Sequence, residues 1–151
     1  MISGAELLTI GYEGTTLAQV IAALHAAQVE LVIDVRAVPS SRKPGFSKRL
    51  LAGSLQAEKI SYLHLQALGT PKAGRDAVRT GNVGHMHTIF RAHIASDQAQ
   101  AELAQASTAA RANRACLLCF EHDHRRCHRS LVAELITAAT GQRIVHLDPL
   151  A

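Results

Sequence analysis

Leu31-Val32-Ile33-Asp34-Val35-Arg36 is the stretch whose reading decides the fold. Its apolar residues run almost without interruption and are largely β-branched, with no alternation of polar and apolar positions. A strand buried on both faces reads this way, and such strands belong to parallel sheets covered by helices. Asp34 and Arg36 then fall at the carboxyl end of the strand, where open parallel sheets bind their ligands.

The flanking sequence extends the same pattern. Upstream, Leu7–Ile10 reads as a first strand stopped by Gly11. Thr16 follows as the cap of a helix that places Leu17, Val20, Ile21 and Leu24 on one face. Downstream, a loop from Ala37 to Phe46 leads to Ser47, which is expected to cap a helix through Leu50, Leu51 and Leu55. Tyr62–Leu65 is a third strand ending at the Gly69-Thr70-Pro71 turn. Lys72–His85 is polar and Gly-containing, and reads either as a mobile lid or as an irregular connection. Met86, Ile89, Phe90 and Ile94 mark a helix, and Asp97 is expected to cap the Ala-rich helix after it. Ala115–Phe120 is a fourth strand, Ser130–Ala139 a helix closed by Gly141, and Arg143–Leu147 a fifth strand. This alternation predicts a three-layer, Rossmann-like α/β domain over residues 1–151, with a mostly parallel sheet of about five strands.

Composition narrows the setting. The 151 residues are 48% hydrophobic and 19% charged, enough apolar material for a sizeable core. Aromatics supply only 3%, so a base-stacking platform lacks material. The net charge is +4, with Arg outnumbering Lys. Arg suits planar recognition of anions, so phosphate, carboxylate or nucleic-acid ligands fit this balance. No apolar run reaches the roughly 18 residues of a membrane span. The N-terminus from Met1 to Glu6 lacks the pattern of a signal peptide. Three cysteines do not make a disulfide framework. The expectation is a soluble cytoplasmic protein, with an anionic small molecule or a nucleic acid as partner and no membrane.

The chemistry-bearing residues gather at strand ends. Strand one runs into Gly11-Tyr12-Glu13-Gly14, whose glycines permit close backbone approach to a ligand. Strand two delivers Asp34 and Arg36, then Ser41-Arg42-Lys43. Strand four delivers Cys119 and Glu121, followed by Cys127-His128-Arg129-Ser130 at a helix start, where a thiolate or anion is favoured. Cys127, Cys119, Glu121 and Asp34 are the catalytic candidates. Gly11, Tyr12, Arg36, Ser41, Arg42, His128 and Arg129 are the ligand-binding ones. A structural ion pair is the alternative role for Asp34 and Glu121, with Arg36 and Arg129 as partners. Cys116, Cys119, Cys127, His122, His124 and His128 lie close in sequence and suggest a metal. But Cys116 and Cys119 lie three apart on a strand and face opposite sides, which argues against a zinc knuckle. The histidines read as surface residues of a loop, and no metal or cofactor is expected. Cys119 and Arg125 have the C-x5-R spacing of cysteine phosphatases, but the acids between them would repel phosphate. Ile33-Asp34-Val35-Arg36 is similar to the early strand motif of rhodaneses, which keeps a rhodanese-like thiol enzyme as an alternative. Cys127, with arginines around it, is expected to be alkylated faster than Cys119 or Cys116.

The motifs taken together resemble one family. Thr9-Ile10-Gly11-Tyr12-Glu13-Gly14, Asp34-Val35-Arg36 with Pro39, and Ser41-Arg42-Lys43-Pro44-Gly45-Phe46-Ser47 occur in order. Tyr62-Leu63-His64-Leu65 with Leu68-Gly69 follows, and then Cys119-x-Glu121-x5-Cys127-His128-Arg129. This set is similar to the domain-of-unknown-function family DUF488. The resemblance covers nearly the whole chain. It carries over to Gly11, Asp34, Arg36, Pro39, Arg42, Phe46, Cys119, Glu121, Cys127, His128 and Arg129, and departs at His124, where the family commonly has Pro. It implies a compact α/β domain and no settled activity. An enzyme acting on an anionic substrate and a non-catalytic anion- or DNA-binding module are the two functional expectations.

Overall fold

The computed structural model describes residues 5–151, so the reading of Met1–Gly4 lies outside the described residues. Five strands form one sheet: β1 (Glu6–Gly11), β2 (Leu31–Asp34), β3 (Ser61–His64), β4 (Ala115–Cys119) and β5 (Arg143–His146). All pairings are parallel, in the order β3-β2-β4-β1-β5. The sheet is therefore fully parallel, and the last long connection returns β4 to its centre, between β2 and β1.

Period-two alternation assigns the two faces. Leu8, Ile10, Val32, Cys116 and Leu118 point to one side, where they meet helices α1 (Leu17–Ala26) and α2 (Lys48–Ala57) through Val20, Leu24, Leu51 and Leu55. Leu7, Ile33, Leu117 and Cys119 point to the other. There the cover is α3 (Lys72–Arg79), α4 (Val83–Ile94), α5 (Asp97–Ala112) and α6 (Arg129–Thr140). The result is a three-layer, Rossmann-like arrangement with a dry core on each face of the sheet. No helix among the described residues is long and apolar enough to cross a membrane.

Local chemistry explains the helix ends. Thr16 accepts from the Gln19 backbone N–H while Gln19 reaches back to the Thr16 N–H, a reciprocal cap. Gly141, in the left-handed region at φ 76°, ends α6 where other residues would be strained. Three expectations are corrected. Ser47 precedes α2 but does not cap it with its side chain, because its Oγ is held by the backbone of Ser41. Ser96, not Asp97, caps α5, accepting from the Ala99 N–H. Lys72–His85 is not an irregular connection. It is α3 and the first turn of α4, and Lys72–Asp76 and Asp76–Arg79 ion pairs run along its exposed side.

Candidate functional site

Strand register brings the expected loops together. Gly11 pairs with Cys119 and Asp34 with Leu118, so β1, β2 and β4 end side by side. Beyond these ends lies a cleft of about 370 Å³. Cys119, Glu121 and His128 form its floor, with Tyr12 and Arg36 beside them. Ala37 to Ser41 supply one wall, while Thr70, α3 and Met86 supply the opposite one. Arg75, Arg79 and Arg126 complete the lining. Arg79 and Arg126 are exposed at the mouth.

The candidates divide sharply once inside. Asp34 is wholly buried and bound to Arg36, whose Nε donates to Oδ1 at 2.9 Å and whose Nη2 donates to Oδ2 at 2.7 Å. The Tyr62 hydroxyl donates to the same carboxylate at 2.5 Å. Arg36 Nη1 donates to the Phe46 carbonyl and to the Tyr12 hydroxyl. Tyr12 stacks on Phe46, ring centroids 4.3 Å apart. Asp34 and Arg36 are thus an internal strut that ties the loop after β2 to β1, with only the edge of Arg36 reaching the cleft.

Arg129 is a second strut. It is buried, and its guanidinium donates to Thr9 Oγ1 and to the carbonyls of Glu121 and His122. It does not line the cleft. Gly11 serves the same packing: a Cβ there would stand 1.8 Å from the Glu121 carbonyl oxygen. The close approach that Gly11 allows is to the chain's own backbone, not to a ligand. Arg42 is exposed and also lies off the cleft. Ser41 lines it, with its Oγ accepting from the Lys43 N–H.

The floor is a cluster of two sulfurs and an imidazole. His128 Nε2 lies 2.7 Å from the Val35 carbonyl oxygen, which can only accept, so this nitrogen carries a proton whether the ring is neutral or charged. Nδ1 therefore faces Cys119 Sγ at 3.7 Å and Cys127 Sγ at 4.0 Å. The first backbone N–H of α6, on Arg129, donates to Cys127 Sγ at 3.5 Å. Glu121 Oε1 lies 3.9 Å from Cys119 Sγ. Cys116 is on the opposite face of the sheet, so the expected divergence of Cys116 and Cys119 holds. Cys127 comes instead from the start of the following helix to meet Cys119.

A family model described as a domain of unknown function, DUF488, matches residues 16–136. The chain belongs to the DUF488 family. Of the cleft-lining residues, only Tyr12 lies outside the matched span. None of the curated proteins and none of the solved structures matches the chain.

Electrostatics in the DUF488 cleft set the four floor groups apart. For Cys127, burial opposes ionisation, but hydrogen bonds from Cys119 and His128 and the positive charges of His128 and Arg129 outweigh it. Its thiol is held well below the ordinary value. Cys119 is raised, because it donates to Cys127 and because burial and the Cys127 and Glu121 charges oppose a second anion. Burial lowers His128, but the Cys127 hydrogen bond and charge more than compensate, so the imidazole is raised. Glu121 is pushed up to about 7, first by burial and then by the nearby Cys127. Carboxyls near that value serve proton transfer at neutral pH.

Access favours Cys119, against the order expected from the sequence. Cys127 is fully buried and does not line the cleft, whereas Cys119 does. The most acidic sulfur thus sits behind the one that borders the cleft. The reading of the sequence missed Thr70, Arg75, Arg79 and Arg126. Thr70 Oγ1 is one of two buried side-chain polar atoms among the described residues that lack a hydrogen-bond partner. The signal available was the charge spacing Lys72, Asp76, Arg79, which marks a helix over a segment read as irregular.

Proposed function

We propose that this protein is an enzyme whose cleft takes a small anionic substrate and turns it over by acid–base chemistry at Glu121, beside the sulfur–imidazole cluster. The carrying observation is convergence: Cys119, Glu121 and His128 on the floor of one cleft, with Arg75, Arg79 and Arg126 around it. Side chains of this kind, drawn from three separate segments, give an anion a place to bind and a proton donor or acceptor beneath it. Thr70, whose buried hydroxyl has no hydrogen-bond partner, belongs to the wall of the same cleft. Asp34, Arg36 and Arg129 belong to the frame that holds this floor, not to the group that meets the substrate.

Arg75 and Arg126 are weakly committed, unlike the two internal arginines, whereas Arg79 is paired with Asp76. Arg75 Nη1 donates to the Thr70 carbonyl and Arg126 Nη2 reaches the Val78 carbonyl at 3.5 Å, which leaves several donors of each guanidinium free for an oxyanion. Calorimetric titration with inorganic phosphate, pyrophosphate and AMP tests the binding half of the proposal. At least one should bind in a one-to-one complex, and Arg126→Gln should weaken it about five- to tenfold, or about 1–1.4 kcal/mol. Mass spectrometry of a panel of phosphate esters and carboxylates incubated with the protein tests the catalytic half. Glu121→Gln should keep the binding and lose the turnover. Binding with no turnover across the panel would make the cleft a non-catalytic anion site, and no binding of any anion would end the proposal.

A further inference from the structure

We propose that Cys119, Cys127 and His128 form a binding site for a zinc ion, with the fourth coordination position open to the cleft. The inference deepens the reading of the cleft as an active site and rests on it for the role of the open position. It departs from the expectation of no metal drawn from the sequence, which turned on Cys116 and Cys119 facing opposite sides of a strand and read His128 as a surface residue, whereas His128 is buried.

Three donor atoms, one from each residue, lie within 4.8 Å of one another, and all three residues are buried. Nδ1 of His128 stands 3.7 Å from one sulfur and 4.0 Å from the other. Tetrahedral zinc, with bonds of about 2.3 Å to sulfur and about 2.0 Å to nitrogen, sets such ligands about 3.5–3.8 Å apart. The two sulfur–nitrogen separations are therefore within about half an ångström of that geometry, and the two sulfurs lie within 4.8 Å of each other.

The surroundings point the same way. A ligating histidine is usually oriented by a hydrogen bond from its other nitrogen to a carbonyl, and here Nε2 makes that bond to Val35. The Arg129 N–H on Cys127 Sγ is the kind of donor that supports a metal-bound thiolate. Two thiolates and a neutral imidazole would also cancel the dication's charge, so a buried site would hold no net charge. Two cysteines and one histidine with an open position is a donor set of catalytic zinc. Cys119 and His128 line the cleft and Cys127 does not, so the free side of the ion faces the space where Glu121 also lies. The soft sulfur donors favour zinc over magnesium or calcium.

The test uses the full chain, purified under reducing conditions, stripped with a chelator and titrated with cobalt(II) and then zinc(II). The expected result is one equivalent of cobalt with strong thiolate-to-cobalt charge-transfer absorption and the visible bands of a tetrahedral ion, both lost when zinc displaces it. Cys119→Ser and His128→Gln should each weaken zinc binding by more than the about 10–100-fold typical of a supporting residue. Cys116→Ala, on the other face of the sheet, should leave the stoichiometry at one. Circular dichroism of each variant separates a lost ligand from a lost fold. Absence of stoichiometric cobalt binding by the reduced wild-type chain, or an octahedral spectrum without charge transfer, would overturn the site. So would purification of the chain with Cys119 and Cys127 joined in a disulfide that binds zinc no better after reduction. Phosphate binding measured on stripped and zinc-loaded protein keeps the two proposals apart. Zinc without phosphate binding would leave the metal site and remove the anion reading, and phosphate without zinc would do the reverse.

Discussion

Replacing Arg36 by Met should cost this protein about 3–5 kcal/mol of stability. Asp34 is fully buried and Arg36 is 4% exposed, so water can stabilise neither charge. Arg36 supplies Asp34 with two side-chain hydrogen bonds, at 2.9 and 2.7 Å, and its backbone N–H supplies a third at 3.1 Å. After Arg36→Met the carboxylate keeps the backbone N–H and the Tyr62 hydroxyl but loses its counter-ion, and the Phe46 carbonyl loses its donor at 2.7 Å. Leaving one partner of a buried pair uncompensated costs about 3–5 kcal/mol, a large part of the about 5–15 kcal/mol by which domains are stable. With a urea slope of about 2 kcal/mol/M, the midpoint falls by about 2 M. Asp34→Asn should also destabilise, and the double variant should be less damaged than the sum of the two by about 2 kcal/mol. Urea melts followed by circular dichroism, run as a double-mutant cycle, measure all three. A cost below about 1 kcal/mol for Arg36→Met, or additivity in the cycle, would refute the strut and return Arg36 to the role of a free ligand-binding arginine.

Three further outcomes follow from single contacts. Gly11→Ala should cost about 3 kcal/mol or more in the same melts, because its Cβ would collide with the Glu121 carbonyl and displace the Arg129 bond to it. Ser96→Ala should cost about 1 kcal/mol through the lost cap of α5, whereas Asp97→Ala should cost less. His146 is lowered to about 4, by burial and then by the charges of His124 and Arg129, and its Nδ1 is held by Thr9 Oγ1 at 2.6 Å. The folded state therefore keeps this ring neutral, while the unfolded chain takes up its proton near pH 6.5. Stability should fall as pH drops from about 6.5 to about 4, by about 1 kcal/mol once the ring's partial exposure is allowed for, and His146→Gln should remove that part of the slope.

The layered fold was legible because it rests on local pattern. The nearly continuous apolar run at Leu31–Val35, the Thr16 cap and the left-handed stop at Gly141 are each decided within a few residues. The α3 helix was not, because Lys72–Arg79 has little apolar periodicity and its buried side is only Gly74, Ala77 and Val78. Gly74 is needed there, since a Cβ would come within 2.3 Å of Thr70 Cγ2. Strand ends located the site, but they could not tell a ligand-binding arginine from a strut. Arg36 and Arg129 differ from Arg75 and Arg126 in which carbonyls and hydroxyls the folded loops leave without donors, and that depends on Phe46, Glu121, His122 and Thr9 meeting across the fold. The same holds for Cys127, whose thiol is lowered by Cys119, His128 and Arg129 although it is buried.

The most direct test of an anion-attracting cleft over a thiol floor is the alkylation rate of each cysteine in reduced, chelator-stripped protein, resolved by peptide mass spectrometry. Iodoacetamide and iodoacetate differ mainly in charge, and on a simple thiol the anionic reagent is the slower. Cys119 should be modified first, faster by iodoacetate than by iodoacetamide, and inorganic phosphate should slow the reaction. That preference should disappear in Arg79→Gln/Arg126→Gln. Modification of Cys127 before Cys119, or labelling of Cys119 with no preference for the anion and no protection by phosphate, would contradict the account.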